Sequence, residues 1–262
     1  MSLTKSVKYL LEKLIERASL PPPAGAQRVY VGHFACGWAS PAATRALSQD
    51  YAHRDGMALI RLPQDPARLA EVADRLQAAG VLNGWRNELL DVIDDTGQVV
   101  SRVERAVMRP LGFTTRAIHL NAFTPGGDLW IAQRSLHKST DPGLWDTLVG
   151  GLIASGETPT LALLRESHEE AGLLPADLAG GREIGQFVVS RAVPEGYQIE
   201  AVTVTDCVLD AACQPSNQDG EVSLIRTASP QEALDMIEAD LFTTEASLSI
   251  LLSMTRANTP EG

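Results

Sequence analysis

The chain has 262 residues, 44% of them hydrophobic and 21% charged, a composition typical of globular proteins and a length that allows a sizeable core. Its formal net charge of -11 argues against a duplex nucleic acid partner, because such partners are bound by clustered Lys and Arg. No apolar run is long enough for a membrane span, and the sparse cysteines, which form no CxxC pair, suit a reducing compartment. We therefore expect a cytoplasmic protein.

The first 112 residues alternate helical and extended patterns, which predicts a small N-terminal α+β domain. Helices are predicted over residues 1–20, 41–47 and 67–79, the last with Asp65 and Pro66 at its start. Strands are predicted over residues 29–34 and 57–62, and an Asp-Asp-Thr-Gly turn favours a hairpin of residues 89–93 and 99–103. Pro110 and Gly112 mark the passage to the next domain.

Residues 113–262 form the second predicted domain, in which strands surround one short helix. The strands are predicted over residues 115–124, 129–133, 186–193 and 198–209, with shorter ones before Gly150 and after Glu221. Two further helices are predicted near the end of the chain, from Ser229 to about Ala239 and from Thr244 to about Arg256.

The short helix lies in the stretch from Gly151 to Leu173, which is the most informative part of the sequence. Thr158 can cap the helix through its hydroxyl group, Pro159 suits the first helical position, and Gly172 can adopt the left-handed conformation that ends a helix. The sequence therefore predicts a helix from residue 159 to about residue 171.

Three carboxylates share one face of this helix, because Glu166, Glu169 and Glu170 stand at positions i, i+3 and i+4. Like charges at this spacing repel, and no lysine is interleaved with them, so we expect a cation beside them. Hard oxygen ligands of this kind favour Mg²⁺ or Mn²⁺ and suit a site that acts on phosphates. The alternative is an acidic helix face that is only solvated.

The spacing of the whole stretch adds a second argument. Gly151 is followed after five residues by Glu157, and after seven more by Arg165-Glu166-Ser167-His168-Glu169-Glu170-Ala171-Gly172-Leu173. This resembles the Nudix box, GX5EX7REUXEEXGU with U apolar, in every fixed letter; Ser167 departs from the first U. The resemblance implies an α+β fold of the αβα type, in which a mixed sheet lies between helices, and hydrolysis of an organic diphosphate.

The resemblance extends into the N-terminal part. The segment GWRNE at residues 84–88, the run from Glu104 to Pro110, and His119-Leu120-Asn121 are similar to the thiamine pyrophosphokinase-associated branch of Nudix proteins. This branch implies an accessory domain over residues 1–112 and a Nudix domain over residues 113–262. It also implies that damaged (oxo or oxy) thiamine diphosphate is converted to the monophosphate.

Candidate site residues follow from the box and its surroundings. We expect the metal ligands to be the box carboxylates, a backbone carbonyl from one of the two glycines that precede them, and one later carboxylate. The predicted set is Glu166, Glu169, Glu170, Gly150, Gly151 and Glu221. For catalysis we assign Glu169 as first choice for the general base, together with Glu166.

Arginine and lysine residues complete the predicted site. Arg165 is expected to point away from the centre of the acidic face and to pair with Glu157, which would position the metal ligands. Arg134 and Lys138 look exposed on a connecting segment and could bind the diphosphate, Arg through a forked contact and Lys as a point charge. The alternative for both is solvated surface charge.

Other functions remain open at this point. The box cannot distinguish a thiamine derivative from ADP-ribose or an oxidised nucleotide, since it contacts only diphosphate and metal. A non-catalytic sensor is a different class, disfavoured because every box carboxylate is present. An isopentenyl-diphosphate isomerase would need a cysteine near the substrate carbon, and neither Cys207 nor Cys213 stands in such a motif. The expected partner is a small-molecule diphosphate, and the oligomeric state is open, a homodimer included.

Overall fold

A computed structural model describes residues 3–55, 57–138, 140–218 and 220–257. Met1 and Ser2, which the first predicted helix included, lie outside this range. The N-terminal elements are α1 (Leu3–Ala18), β1 (Gln27–Val31), β2 (Phe34–Ala39), α2 (Pro41–Tyr51), β3 (Ala52–Asp55), β4 (Met57–Leu62), α3 (Pro66–Ala78), β5 (Leu89–Ile93), β6 (Val99–Glu104) and α4 (Met108–Leu111). The C-terminal elements are β7 (Thr114–Phe123), β8 (Leu129–Arg134), β9 (Trp145–Thr147), β10 (Val149–Leu152), α5 (Pro159–Ala171), β11 (Arg182–Val193), β12 (Gly196–Val208), β13 (Val222–Ala228), α6 (Pro230–Glu238) and α7 (Thr244–Ala257).

The N-terminal part has a sheet of order β2-β1-β4-β3, with β1 parallel to β4. Its apolar side chains share one hydrophobic cluster with α2 and α3, in which Leu47, Ile60 and Leu69 are fully buried. The predicted hairpin of β5 and β6 is confirmed as a separate antiparallel pair whose Leu90 joins the same cluster. The predicted α+β pattern is therefore observed.

One N-terminal strand was predicted wrongly. Residues 29–34 were expected to continue as a single strand, but the chain turns at Gly32, and Val31 pairs with Phe34 in an antiparallel hairpin. Gly32 has a φ of 62°, a left-handed conformation that costs glycine little and suits tight hairpin turns. The apolar residues on either side of this glycine concealed the turn.

The C-terminal part is built on a mixed sheet of order β11-β12-β7-β8-β13, with β10 paired to β7 and β9 paired to β8. The pair β12–β7 is parallel, and the others are antiparallel. Side chains alternate along the strands, so Ile118 and Leu120 pack beneath α5, whereas Leu129 and Ile131 pack beneath α6 and α7 on the other face. The expected sheet between helices is thus confirmed.

The first helix packs differently from what its position in the chain suggests. It was assigned to the N-terminal domain, but Val7 and Leu14 are buried in one cluster with Leu248 and Leu251 of α7. The apolar stripe of α1 therefore covers α7 and β11 of the mixed sheet. Within the described residues, no helix, α1 included, is long and apolar enough to cross a membrane.

Candidate active site

The helix that carries the box carboxylates, α5, begins and ends as the sequence predicts. The Thr158 hydroxyl accepts a hydrogen bond from the Leu161 amide, and Pro159 is the first helical residue. Gly172 adopts a left-handed conformation with φ 66°, and its amide donates to the His168 carbonyl. These caps determine where α5 begins and ends, and the box carboxylates lie in its last turns.

All predicted site residues lie around one cavity of about 650 Å³ beside α5. This cavity is lined by Arg134, Lys138, Gly150, Gly151, Arg165, Glu166, Glu169, Glu170 and Glu221. The structure thus brings together residues from β8, the connection after it, β10, α5 and the position just before β13.

The two glycines of β10 lie against carboxylates of α5. The Gly150 amide donates a hydrogen bond of 3.0 Å to Glu170 Oε2. A Cβ atom on Gly151 would overlap the carboxyl group of Glu166, so Glu166 keeps this position only beside a glycine. The first glycine of the box therefore provides the space into which Glu166 projects.

Arg165 holds the loop and the helix together. Its Nε and Nη2 donate to the two carboxylate oxygens of Glu157 at 2.9 Å each, which confirms the predicted pair. The expectation that Arg165 points away from the acidic face is wrong, because Nη1 also donates to Glu166 at 2.7 Å and to Glu169 at 3.1 Å. The forked guanidinium reaches both sides at once and supplies part of the positive charge that the acidic face requires.

The carboxylates differ in their surroundings. Burial raises the pKa of Glu170 to about 8, although Lys138 and the Gly150 amide act in the opposite direction. Burial also raises the pKa of Glu166, despite its bond to Arg165. Glu169 is more open, with 48% of its side chain exposed. A second positive charge close to Glu166 and Glu170 would favour their ionised forms.

Lys138 and Arg134 line the cavity, but they are not the exposed cations that the sequence suggested. Lys138 has 19% of its side chain exposed and forms ion pairs with Glu221 and, at 3.7 Å, with Glu170. Arg134 is 18% exposed and donates to Asp146 at 2.9 Å. Glu170 and Glu221 lie far from Lys138 in the sequence, and Asp146 lies across the connection that follows Arg134, so sequence spacing does not reveal these pairs.

Glu221 begins the strand pairing at this edge of the cavity, where its carbonyl accepts from the Ser135 amide at 2.9 Å. Burial alone would raise the pKa of Glu221, but the hydrogen bond and charge of Lys138, with smaller effects of Arg105 and Arg134, lower it overall. The Glu221 carboxylate is therefore held in its ionised form beside the box carboxylates.

The side chains fit a hard divalent cation. In the conformation described for these residues, no group of three or more His, Cys, Asp and Glu side chains is arranged as a metal-binding cluster. Arg165 and Lys138 occupy the carboxylates instead. All of the available donors are carboxylate oxygens, which is the donor type that Mg²⁺ and Mn²⁺ prefer. The missing Cβ of Gly151 leaves room for one of them, the carboxylate of Glu166. Glu166, Glu169, Glu170 and Glu221 are the residues that could hold it.

Two further polar residues that line the cavity, His119 and Asp146, were not assigned a role from the sequence. His119 on β7 is buried under Gly150, and its Nδ1 lies 2.9 Å from Thr147 Oγ1 and 3.6 Å from Asp146 Oδ1. Burial lowers the pKa of His119, although Asp146 opposes the shift. The feature of the sequence that could have indicated His119 is its place between Ile118 and Leu120 in an apolar strand.

The N-terminal part also contacts the box loop. Asp91 of β5 accepts a hydrogen bond of 2.6 Å from Ser155 Oγ and pairs with Arg116 of β7 at 2.5 Å. The Ser155 amide donates to the Leu89 carbonyl at 2.8 Å. The β5–β6 hairpin therefore fixes the loop between β10 and α5, and the cavity is bounded partly by Arg86 and Arg105 from this region.

Comparisons with known proteins agree with this geometry. A family model described as NUDIX domain matches residues 113–245, about half of the chain. The chain is similar to Nudix hydrolase 20 of Arabidopsis thaliana, described as chloroplastic, with 31% identity over 197 residues that cover 70% of this chain and 50% of that protein. Nudix hydrolase 24 of the same plant, also described as chloroplastic, is 32% identical over 191 residues, covering 70% of this chain and 52% of that protein. The chain thus spans about half the length of these curated relatives.

A solved structure and a relative of another function complete the comparison. The crystal structure of DR0079 from Deinococcus radiodurans matches with a TM-score of 0.51 and 25% identity, covering 64% of this chain and 99% of that one. An isopentenyl-diphosphate Delta-isomerase of Streptomyces avermitilis is 36% identical over 113 residues, covering 43% of this chain and 56% of that protein. The box, the mixed sheet and the matched family model lead to one conclusion. The chain belongs to the Nudix family.

Proposed function

We propose that the chain hydrolyses an organic diphosphate to a monophosphate and phosphate in a reaction that depends on a divalent metal. The observation that carries this proposal is the meeting of Glu166, Glu169, Glu170 and Glu221 on one cavity that also holds Lys138. Such a concentration of carboxylates beside a cation matches the needs of a metal-bound diphosphate. The named Nudix hydrolases among the relatives support the same reaction class.

The metal-binding residues are proposed to be Glu166, Glu169 and Glu170, with a carbonyl of Gly150 or Gly151 and with Glu221 as an additional ligand. Bound Mg²⁺ or Mn²⁺ would shield the phosphate charge and make water more acidic. Arg165 acts as a positioning residue, because it holds Glu157, Glu166 and Glu169 in one arrangement.

The other roles follow from exposure and charge. Glu169 is the first choice for the general base, since its carboxylate is the most open of the three and is oriented by Arg165. When substrate binds, the Lys138 ammonium group can exchange its ion pair with Glu221 for an ion pair with a phosphate oxygen. Arg134 can offer the N–H groups that Asp146 and Thr140 leave free to the same diphosphate.

The substrate is proposed to be a damaged thiamine diphosphate of the oxo or oxy type. This proposal is supported by the similarity of residues 84–88 to the thiamine-associated branch, and by the position of Arg86 and Glu88 on the cavity wall. A substrate much larger than a bare diphosphate is also favoured by the cavity volume of about 650 Å³.

The positions of the cysteines disfavour isomerisation of an isopentenyl diphosphate, which would need a cysteine near the substrate carbon. Cys207 is buried and packs beneath α5, and Cys213 packs against the same cluster. Cys36 is buried in the N-terminal cluster, as expected for a packing residue. Among the described residues, none of those that line the large cavity is a cysteine.

We also propose a cytoplasmic location and a domain boundary near residue 112. The boundary is supported by the N-terminal hydrophobic cluster, whose buried members run from Val29 to Phe113. Helix α1 precedes this cluster but packs on the C-terminal part, so the accessory domain would begin after α1.

A hydrolysis screen in which the products are separated by chromatography tests the proposed function. Oxythiamine diphosphate, thiamine diphosphate, ADP-ribose and 8-oxo-dGTP are compared with and without Mg²⁺, and Glu170→Gln serves as the inactive control. We expect Mg²⁺-dependent conversion of a thiamine derivative to its monophosphate and phosphate, and loss of that conversion in the variant. Preferred cleavage of ADP-ribose to AMP and ribose 5-phosphate, or of 8-oxo-dGTP to 8-oxo-dGMP and pyrophosphate, would reject the thiamine assignment. Tight binding of one compound without any cleavage would instead indicate a sensor.

A further inference from the structure

The loop between β10 and α5 connects the two elements that carry most of the proposed metal ligands. We refer to residues 153–158 as the box loop. Strand β10, with Gly150 and Gly151, precedes the box loop, and α5, with Glu166 and Glu169, follows it. A loop this short has no core of its own, so its conformation depends on the elements that it contacts.

Asp91 on β5 contacts the box loop with one carboxylate oxygen and the mixed sheet with the other. Its Oδ1 accepts a hydrogen bond of 2.6 Å from Ser155 Oγ, and its Oδ2 accepts one of 2.5 Å from Arg116 on β7. The Arg116 carbonyl in turn accepts from the Ile153 amide at 2.8 Å. Only 9% of the Asp91 side chain is exposed, so water competes little for these contacts. One carboxylate therefore links β5, β7 and the box loop.

The direction of the Asp91 side chain separates its role from that of the hairpin core. Leu90 and Val92, on either side of Asp91 in β5, are buried in the N-terminal hydrophobic cluster. Because side chains alternate along a strand, Asp91 points to the opposite side, toward the box loop. The backbone of β5 contributes as well, since the Leu89 carbonyl accepts from the Ser155 amide at 2.8 Å. Removal of the Asp91 carboxylate should therefore leave the apolar packing of the hairpin in place and affect the loop.

The box loop continues this connection to the carboxylates of α5. Glu157 Oε2 accepts a hydrogen bond of 3.0 Å from the Ala154 amide, so the loop orients the Glu157 carboxylate. That carboxylate accepts two hydrogen bonds from Arg165, at 2.9 Å each. The same guanidinium donates to Glu166 at 2.7 Å and to Glu169 at 3.1 Å. Hydrogen bonds and the short loop thus connect the N-terminal hairpin with two of the proposed metal ligands.

We propose that Asp91 is a positioning residue of the active site, which acts through Ser155 and the box loop on the carboxylates of α5. The inference rests on the proposed function, because it assumes that Glu166 and Glu169 hold the divalent cation. Without the Asp91 contact the box loop has more conformational freedom, and this freedom must be lost when the cation binds, which lowers the affinity for the cation. The N-terminal part is then a component of the metal site and not only a neighbouring domain.

Mn²⁺ binding in the absence of substrate tests the inference without turnover. Free Mn²⁺ is measured by its electron paramagnetic resonance signal during titration with the full-length protein. We expect Asp91→Ala to weaken Mn²⁺ binding about tenfold, a loss typical of residues that orient metal ligands. Asp95→Ala is the matched control, because it removes an exposed carboxylate of the same hairpin that pairs with Arg28. This control should leave the Mn²⁺ affinity unchanged.

Hydrogen exchange in the protein without metal gives a second readout. Asp91→Ala should speed amide exchange in peptides that contain residues 153–158, because the loop opens more often. Exchange of α3, which packs in the N-terminal hydrophobic cluster, should stay as in the wild type. Faster exchange of α3 as well would indicate a general loss of stability and would overturn the positioning role.

A double-mutant cycle shows whether Asp91 acts through Ser155. Ser155→Ala removes the hydroxyl group and should weaken Mn²⁺ binding about three- to tenfold. The double variant should bind Mn²⁺ about as weakly as Asp91→Ala alone, because the shared contact is already absent there. Losses that multiply would mean that the two residues act independently and would overturn the inference. If Asp91→Ala does not fold, Ser155→Ala decides alone, and an unchanged Mn²⁺ affinity in this variant overturns the inference.

The possible results separate this inference from the proposed function. Unchanged Mn²⁺ affinity or unchanged loop exchange in a folded Asp91→Ala variant would overturn the inference, as would a wild-type protein that binds no Mn²⁺. If affinity and exchange change as expected but no diphosphate is hydrolysed, the inference stands and the proposed reaction fails. If the wild type and Asp91→Ala hydrolyse a diphosphate with the same Mg²⁺ requirement, the reaction stands and the inference fails.

Discussion

Gly151 lies so close to Glu166 that the Cβ atom of any other residue would overlap the Glu166 carboxyl group. The contact joins the end of β10 to the acidic face of α5. A side chain at residue 151 must therefore displace either the strand or the carboxylate. The glycine at this position of the box therefore leaves Glu166 in place.

The first prediction concerns this contact. Gly151→Ala should lower kcat/KM by about a hundredfold, because a displacement of about 1 Å in a catalytic group costs that much. Gly180→Ala is the matched control, since a Cβ atom there meets no atom within 4 Å. Steady-state kinetics and thermal unfolding are measured for both. Normal turnover in Gly151→Ala would contradict the proposed position of Glu166.

The second prediction concerns the shape of the Arg165 side chain. Arg165→Lys keeps the charge but loses the fork that contacts Glu157, Glu166 and Glu169 together. We expect a loss of about ten- to a hundredfold in both Mg²⁺ affinity and kcat/KM, as for other residues that orient metal ligands. Activity is titrated against Mg²⁺, with Arg182→Lys at an exposed position as control. An unchanged Mg²⁺ requirement in Arg165→Lys would show that the fork has no positioning role.

The third prediction concerns Ser167, the residue that departs from the apolar letter of the box. Ser167 is fully buried, and its hydroxyl has no hydrogen-bond partner among the described residues. Ser167→Ala should therefore raise the free energy of unfolding by about 1 kcal/mol. Ser101→Ala should lower it by a similar amount, ~1 kcal/mol, because the buried Ser101 hydroxyl donates to the Gln64 carbonyl. Urea denaturation measures both, and the same sign for both variants would refute the argument.

The fourth prediction concerns pH. Burial raises the pKa of Asp206 above its usual value of 3.8, although hydrogen bonds from Ser253 and Asn121 oppose the shift. The folded protein then binds more protons at Asp206 than the unfolded chain does, so this contribution to stability falls as pH rises from 3.8 to the raised value. We expect Asp206→Asn, relative to wild type, to be more favourable at about pH 7 than at about pH 4.

Urea unfolding at the two pH values checks this expectation. Asp74→Asn, an exposed substitution on α3, is the control for the change of an aspartate to asparagine. A pH-independent difference for Asp206→Asn would mean that the folded and unfolded states bind protons equally at residue 206.

The sequence predicted the local features of the site well. Thr158, Pro159 and Gly172 determine the ends of α5 through contacts within a few residues, so their positions in the chain are sufficient to predict the helix. The hairpin of β5 and β6 was predicted for the same reason. The family resemblance then supplied the mixed sheet.

Contacts between distant residues were not predictable in this way. Lys138 pairs with Glu221, and Arg134 contacts Asp146 across the connection between β8 and β9. Because of these pairs, both side chains are less exposed than their neighbours in sequence suggested. Glu200 also lines the cavity, and its position there depends on how β12 lies beside β7. The prediction of a single strand through Gly32 was wrong because apolar residues lie on both sides of a tight turn.

The packing of α1 on α7 affects how the protein can be divided. A fragment that starts at residue 113 would contain everything that the family model matches, but it would lack Val7 and Leu14. The part of α7 that α1 covers would then face water, and exposed apolar surfaces promote aggregation. We expect such a fragment to precipitate, and light scattering to show that joining α1 back through a flexible linker restores a monodisperse protein. A fragment chosen by the bounds of the matched family model would therefore separate two helices that form one hydrophobic cluster.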